Sequence, residues 1–266
     1  SYAPMQVYIE ECQLNVTPGH DEYEKNGVRF GTILIGQYVG YDDLHDGGYG
    51  FVNSVYEANP TPLILSQVDI APIMFHEIGH TLGISSHRDR IVSQTVNGKT
   101  YNLFGFKDFD ETGFEAHLYD QYGTRATPNA FILPSKKDIS SVNAVLEANP
   151  ALKAKFKPEH VFYVPDTAES KKDGKIYLYF AGKHVTDVLD GKTFTRGDGQ
   201  QISGIPINTW EYGVPNLSHL ELARSMMSHQ LYRSYVNFME AELAALQDIG
   251  YQIDRKNFYG RSIYND

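Results

Sequence analysis

The chain has 266 residues, 41% of them hydrophobic and 21% charged, and a formal net charge of -10. That is a globular composition with length for one large domain or two small ones, and its acidic balance argues against a nucleic-acid partner, which needs a Lys and Arg excess. No apolar run is long enough for a transmembrane segment, and the 19 tyrosines and 14 phenylalanines suit an extracellular mixed or β-rich protein better than a disordered one.

Met5–Val16 admits either a strand or a short helix. Within it Cys12 stands alone, which rules out an internal disulfide and leaves His and carboxylate side chains for any zinc site. Val28–Val39 is rich in β-branched and aromatic residues, lies between Asn26-Gly27 and Gly40, and reads as a strand. Asp42–Gly50 is a loop whose Asp42, Asp43 and Asp46 lack EF-hand spacing and read as solvated carboxylates. Tyr49–Tyr56 reads as a short edge strand closed by Asn59-Pro60-Thr61-Pro62.

A helix follows, with Ser66 as N-cap and Asp69 in capping-box position. Pro72 fits only a first turn, so the start can fall one turn later. Val68, Ile70, Ile73, Met74, Ile78 and Leu82 are its apolar positions, and Gly83 supplies the stop. From Ser85 to Pro215 turn signals dominate, with strands expected at Phe114–Tyr119, His160–Val164 and Lys175–Val185. The same stretch holds a hairpin tip at Glu169–Gly174 and a helix at Ser140–Glu147 ended by Asn149-Pro150. A last helix runs from about Asn237 to Ile249, with Phe238, Leu243, Leu246 and Ile249 apolar and Gly250 at its end.

The chemistry concentrates in His76-Glu77-Ile78-Gly79-His80. Two His four apart on a helix share one face, so both imidazoles can bind one Zn²⁺ at about 2.0–2.1 Å. Glu77, rotated off that face, sets a carboxylate where it can take a proton from a metal-activated water.

The segment His76-Glu-Ile-Gly-His80-Thr-Leu-Gly83 resembles the metzincin clan of zinc metallopeptidases, in which the Gly turns the chain under the metal toward a third ligand. Most of the clan places that third His three residues after the Gly; here Ser86 holds the position and His87 comes one residue late. Downstream, Asn216-Leu-Ser-His219, then Ser225-Met226-Met227-Ser228-His229, then a helix ending Gln247-Asp-Ile-Gly-Tyr251 resemble the leishmanolysin branch, where a long insertion precedes the third ligand. The resemblance implies His219 as that ligand, with His87 the alternative, and Met227 as the Met-turn residue, with Met226 possible. It also implies a role for His229 as a hydrogen-bond donor to the developing oxyanion, beside the plainer reading of a surface His. His20, His45, His117, His160 and His184 have no ligand spacing.

The resulting expectation is an α+β, metzincin-like fold with a mixed sheet, an active-site helix, a C-terminal helix and a large β-rich insertion. Residues 1–83 would form the N-terminal catalytic subdomain, 84–215 the insertion, and 216–266 the C-terminal subdomain. The expected activity is zinc-dependent endopeptidase, with Glu77 as general base, His76, His80 and His219 as metal ligands, and protein or peptide as substrate. Two alternatives stand beside it: a zinc peptidase with Glu240 or Glu242 as third ligand, and a non-catalytic zinc-fold surface adhesin or binding module. The resemblance and the single Cys imply a secreted or cell-surface bacterial protein. Ser1-Tyr2-Ala3-Pro4, with no signal peptide in view, reads as the trimmed edge of a longer precursor.

Overall fold

β-Branched and aromatic residues favour a pleated strand, and Val28–Gly36 (β3) is the centre of a three-stranded sheet. Met5–Cys12 (β1) runs parallel to it, so this segment is strand rather than helix, and Gly19–Lys25 (β2) runs antiparallel on the other side. The computed structural model describes residues 5–12, 19–25, 28–36, 50–52, 67–86, 88–106, 109–156, 160–165, 178–189, 194–196, 199–211, 214–223, 225–229 and 237–254. The expectations for Ser66, His45, His87, the Asp42–Asp46 loop and the Glu169–Gly174 hairpin tip fall outside these residues.

The chain forms two compact units, Ser1–Ile84 with Leu222–Met239, and Ser85–Glu221 with Glu240–Asp266. In the first, Gly50–Val52 (β4) lies within the expected edge strand and pairs in parallel with Gln67–Asp69 (β5). Asp69 is therefore a strand residue opposite Val52, not a capping-box residue. The helix Ile70–Thr81 (α1) begins directly after it, with Pro72 in the first turn, where a missing N–H costs nothing. α1 lies against β2 and β3.

The second unit contains a hairpin that sequence periodicity does not reveal. Arg88–Val96 (β6) and Lys99–Phe106 (β7) pair antiparallel around Asn97-Gly98, both at positive φ (51° and 78°), the conformation that an Asn-Gly hairpin turn supplies. Phe131–Leu133 (β9) joins β7 antiparallel and Val161–Tyr163 (β10) joins β9 in parallel, giving a mixed four-stranded sheet in the order β10-β9-β7-β6. Ile139–Ala148 (α2) ends at Asn149, whose side chain then caps a new helix, Pro150–Lys155 (α3). Val142, Val145 and Leu146 of α2 pack with Leu103, Phe131, Leu133, Val161 and Tyr163 to form the core.

The three strands expected between Ser85 and Pro215 are shorter than predicted, His160–Val164 being strand at Val161–Tyr163. Phe114–His117 is a 3₁₀ turn leading into a two-residue strand, Leu118–Tyr119 (β8). Residues 175–177 lie outside the described residues, and among the described part of Lys175–Val185 the strand is Tyr179–Phe180 (β11), which pairs with β8 and with the Ile205–Pro206 strand. Lys183–Leu189 is a helix instead, with Val185 and Leu189 buried one turn apart. Asp248 holds its start, accepting from the N–H groups of His184 (2.8 Å) and Val185 (3.0 Å). The region expected to be a β-rich insertion thus interleaves short strands with helices. The last helix is Glu240–Asp248, closed by Gly250 at φ 108°. The fold is mixed α and β with mixed sheets, and among the described residues no helix is long and apolar enough to cross a membrane.

Candidate metal centre

α1 places His76 and His80 one turn apart, both buried, with rings edge to face and centroids 4.6 Å apart. The Nδ1–H of His76 donates to the Met226 carbonyl and that of His80 to the Ile84 carbonyl, each at 2.7 Å. A carbonyl only accepts, so in each neutral ring the proton sits on Nδ1 and the lone pair on Nε2. The two Nε2 atoms are 3.0 Å apart. Two facing acceptors share no proton, whereas a cation between them satisfies both. Two ligands of a tetrahedral zinc stand about 3.3 Å apart, so the pair is close to chelating geometry.

Two local features deliver those carbonyls. Gly83, at φ 104°, closes α1: its N–H donates to His80 O (2.8 Å), and Ile84 N–H returns to Gly79 O (3.1 Å). This double closure fixes Ile84 at the helix end, where its carbonyl meets His80. The second feature is the turn at Ser225–Ser228. Ser225 N–H donates to Leu222 O (3.1 Å), and Met227 N–H donates to Ser225 Oγ (3.1 Å). Ser228 N–H donates to Ser225 O (3.3 Å). The two methionines divide the work: Met226 offers its carbonyl to His76, while the Met227 side chain lies against Gly79. Both are fully buried.

A β-carbon on Gly79 would stand 2.2 Å from Met227 Sδ and 3.1 Å from Phe238 Cε1. Replacing a mid-helix Gly by Ala gains roughly 0.5–1 kcal/mol in propensity, but forcing a methyl into a filled site costs about 1–3 kcal/mol. Overpacking wins, so Gly79→Ala should lower the urea midpoint of unfolding. A raised midpoint would mean that Met227 swings aside at no cost.

Glu77 is 5% exposed and projects about 100° around the helix from His76. Among the described residues one group of metal-competent side chains occurs: His76, His80 and His219, one ring nitrogen from each lying within 4.8 Å of the others. The three could hold a metal ion, and an all-imidazole set suits zinc, copper, iron or nickel. Neither Glu240 nor Glu242 belongs to this group. His229 lies two residues beyond Met227 and is partly buried. His117 packs against Phe180 at 5.2 Å, its pKa lowered chiefly by burial against an opposing pull from Asp248.

Sequence reasoning missed the supporting groups: the carbonyls of Ile84 and Met226, the hydroxyl of Ser225, and Asn208, which bonds the backbone of His219. Backbone acceptors carry no sequence signature. Ser225 could have been read from its place before the Met pair; Asn208 offered no signal. No protein-family model, curated protein or solved structure matches the chain.

Proposed function

We propose that the protein is a zinc-dependent endopeptidase of metzincin type, nearest in motif layout to the leishmanolysin branch. The observation that carries this reading is the pair of buried imidazoles with Nδ1 engaged by carbonyls and Nε2 atoms 3.0 Å apart, beside a buried carboxylate on the same helix. His76 and His80 are two ligands and His219 the third. Bound zinc would supply a Lewis acid and acidify a water molecule to a pKa of about 7.

This chain's own residues do the rest. Glu77 takes a proton from the water that attacks the scissile carbonyl carbon, then gives it to the amine nitrogen as the C–N bond breaks. The backbone locks on His76 and His80 keep both rings in the ligand tautomer through the cycle. The substrate lies extended along Gly50–Val52 and bonds to it as an added strand. Secretion or surface display belongs to the same reading and rests on the resemblance.

Digestion of denatured casein tests it. The protein with one equivalent of zinc should cleave casein, a chelator should abolish cleavage, and added Zn²⁺ should restore it. Cleavage that persists after the metal is stripped, or zinc-loaded protein that leaves casein intact, would remove the proposal; the second result would fit a binding module.

A further inference from the structure

We propose that Asn208 is the positioning residue for the third imidazole, an inference that rests on His219 being the third ligand. Asn208 Oδ1 accepts from the His219 N–H at 3.0 Å, and the Asn208 N–H donates to the His219 carbonyl at 3.3 Å. One residue therefore holds both peptide groups that flank the His219 α-carbon. Fixing those two peptides fixes φ and ψ at residue 219, and with them the Cα–Cβ direction from which the ring hangs.

Pairing on either side of His219 is interrupted at His219 itself. The segments around Asn208 and His219 meet at the antiparallel bridge of Ile207 with Leu220, made by the Glu221 N–H to Pro206 O bond (2.7 Å) together with the Asn208 N–H bond above. They meet again at Asn216 N–H to Thr209 O (2.9 Å) and at the Trp210–Glu211 and Val214–Pro215 pair. No regular strand ladder carries His219. A side-chain amide stands where a ladder would put the Asn208 carbonyl, and pairing resumes beyond it only in a shifted register, Thr209 with Asn216 and Trp210 with Pro215. Ser218, just before, accepts from Ser86 N–H through its hydroxyl (3.2 Å) and pins the chain entering His219. A ligand at the point where its ladder is interrupted needs such support, because loss of an orienting partner typically costs 10–100-fold in metal affinity.

The test compares Asn208→Ala, Asn208→Asp and His219→Ala in the full chain, with Zn²⁺ affinity from competition against a chelating dye and the visible spectrum of the Co²⁺-loaded protein. Asn208→Ala should bind Zn²⁺ about 10–100-fold more weakly and shift the Co²⁺ bands. Asn208→Asp keeps an oxygen at the Oδ1 position and should restore both readouts. His219→Ala should lose more affinity than either. Wild-type affinity and spectrum in Asn208→Ala, with metal lost in His219→Ala, would overturn the role of Asn208 alone. Failure of Asn208→Asp to restore would overturn it too, leaving Asn208 a general structural role. Wild-type Zn²⁺ affinity in His219→Ala would instead overturn the third-ligand reading. Should Asn208→Ala not fold, Asn208→Ser, whose shorter hydroxyl falls short of the His219 N–H, replaces it with the same expected loss.

Discussion

A Glu77→Gln variant should keep one zinc per chain and cleave denatured casein at least ~10³-fold more slowly, a loss of about 4 kcal/mol of transition-state stabilisation. The glutamine amide matches the carboxylate in size, so the buried site at position 77 is not emptied. It cannot accept the proton that attack by water releases. The imidazoles of His76 and His80 are held by the carbonyls of Met226 and Ile84, so metal stoichiometry should not change. Zinc content by atomic absorption and casein turnover on the same preparation separate the two roles. Turnover within tenfold of wild type would sink the general-base assignment. A variant that lost zinc along with activity would make Glu77 a structural support of the metal centre.

How far the sequence could be read depended on where each interaction has its partner. His76, Glu77 and His80 are legible because their geometry is set inside one helical turn, and Gly83 because a helix stop needs a positive φ. His219 was reachable only through a family resemblance, since nothing in residues 84–218 signals that it comes within 4.8 Å of the other two. The β6–β7 hairpin escaped even with Asn97-Gly98 at its tip. A bulge between Arg90 and Val92 shifts the register, so the in-out alternation that marks a strand breaks in the middle of β6. The Lys183–Leu189 helix escaped for another reason: it is two turns long, and its start is held by Asp248, more than sixty residues away. Asp69 misled because a carboxylate three residues after a Ser is a local signal, while its pairing opposite Val52 is a tertiary one.

The largest stability effect should come from a residue with no part in the chemistry. Asp120 is fully buried, and its carboxylate accepts from three backbone N–H groups: Tyr122 (2.8 Å), Thr124 (2.8 Å) and Tyr163 (3.1 Å). It ties the turn after β8 to strand β10. Burial pushes its pKa above the ordinary 3.8, against the opposing pull of those three donors. Desolvation therefore outweighs the hydrogen bonds in deciding the proton's affinity. Removing the side chain is a different matter, because it leaves three donors in the interior without their acceptor. Bonds to a charged group are worth about 1.5–3 kcal/mol each, and the desolvation of one carboxylate offsets part of their sum. Asp120→Ala should thus lose about 2–4 kcal/mol by urea unfolding at pH 7, a large share of the roughly 5–15 kcal/mol of a typical fold. The sign of the pH dependence follows from the raised pKa. The folded state holds the Asp120 proton more tightly than the unfolded chain does, so this group's contribution is fully present below pH 3.8 and declines as pH rises through the folded value. The stability gap between wild type and Asp120→Ala should therefore be widest at acid pH and narrow toward neutrality. A gap that widened with pH would mean that the three N–H groups, rather than burial, dominate the carboxylate's environment.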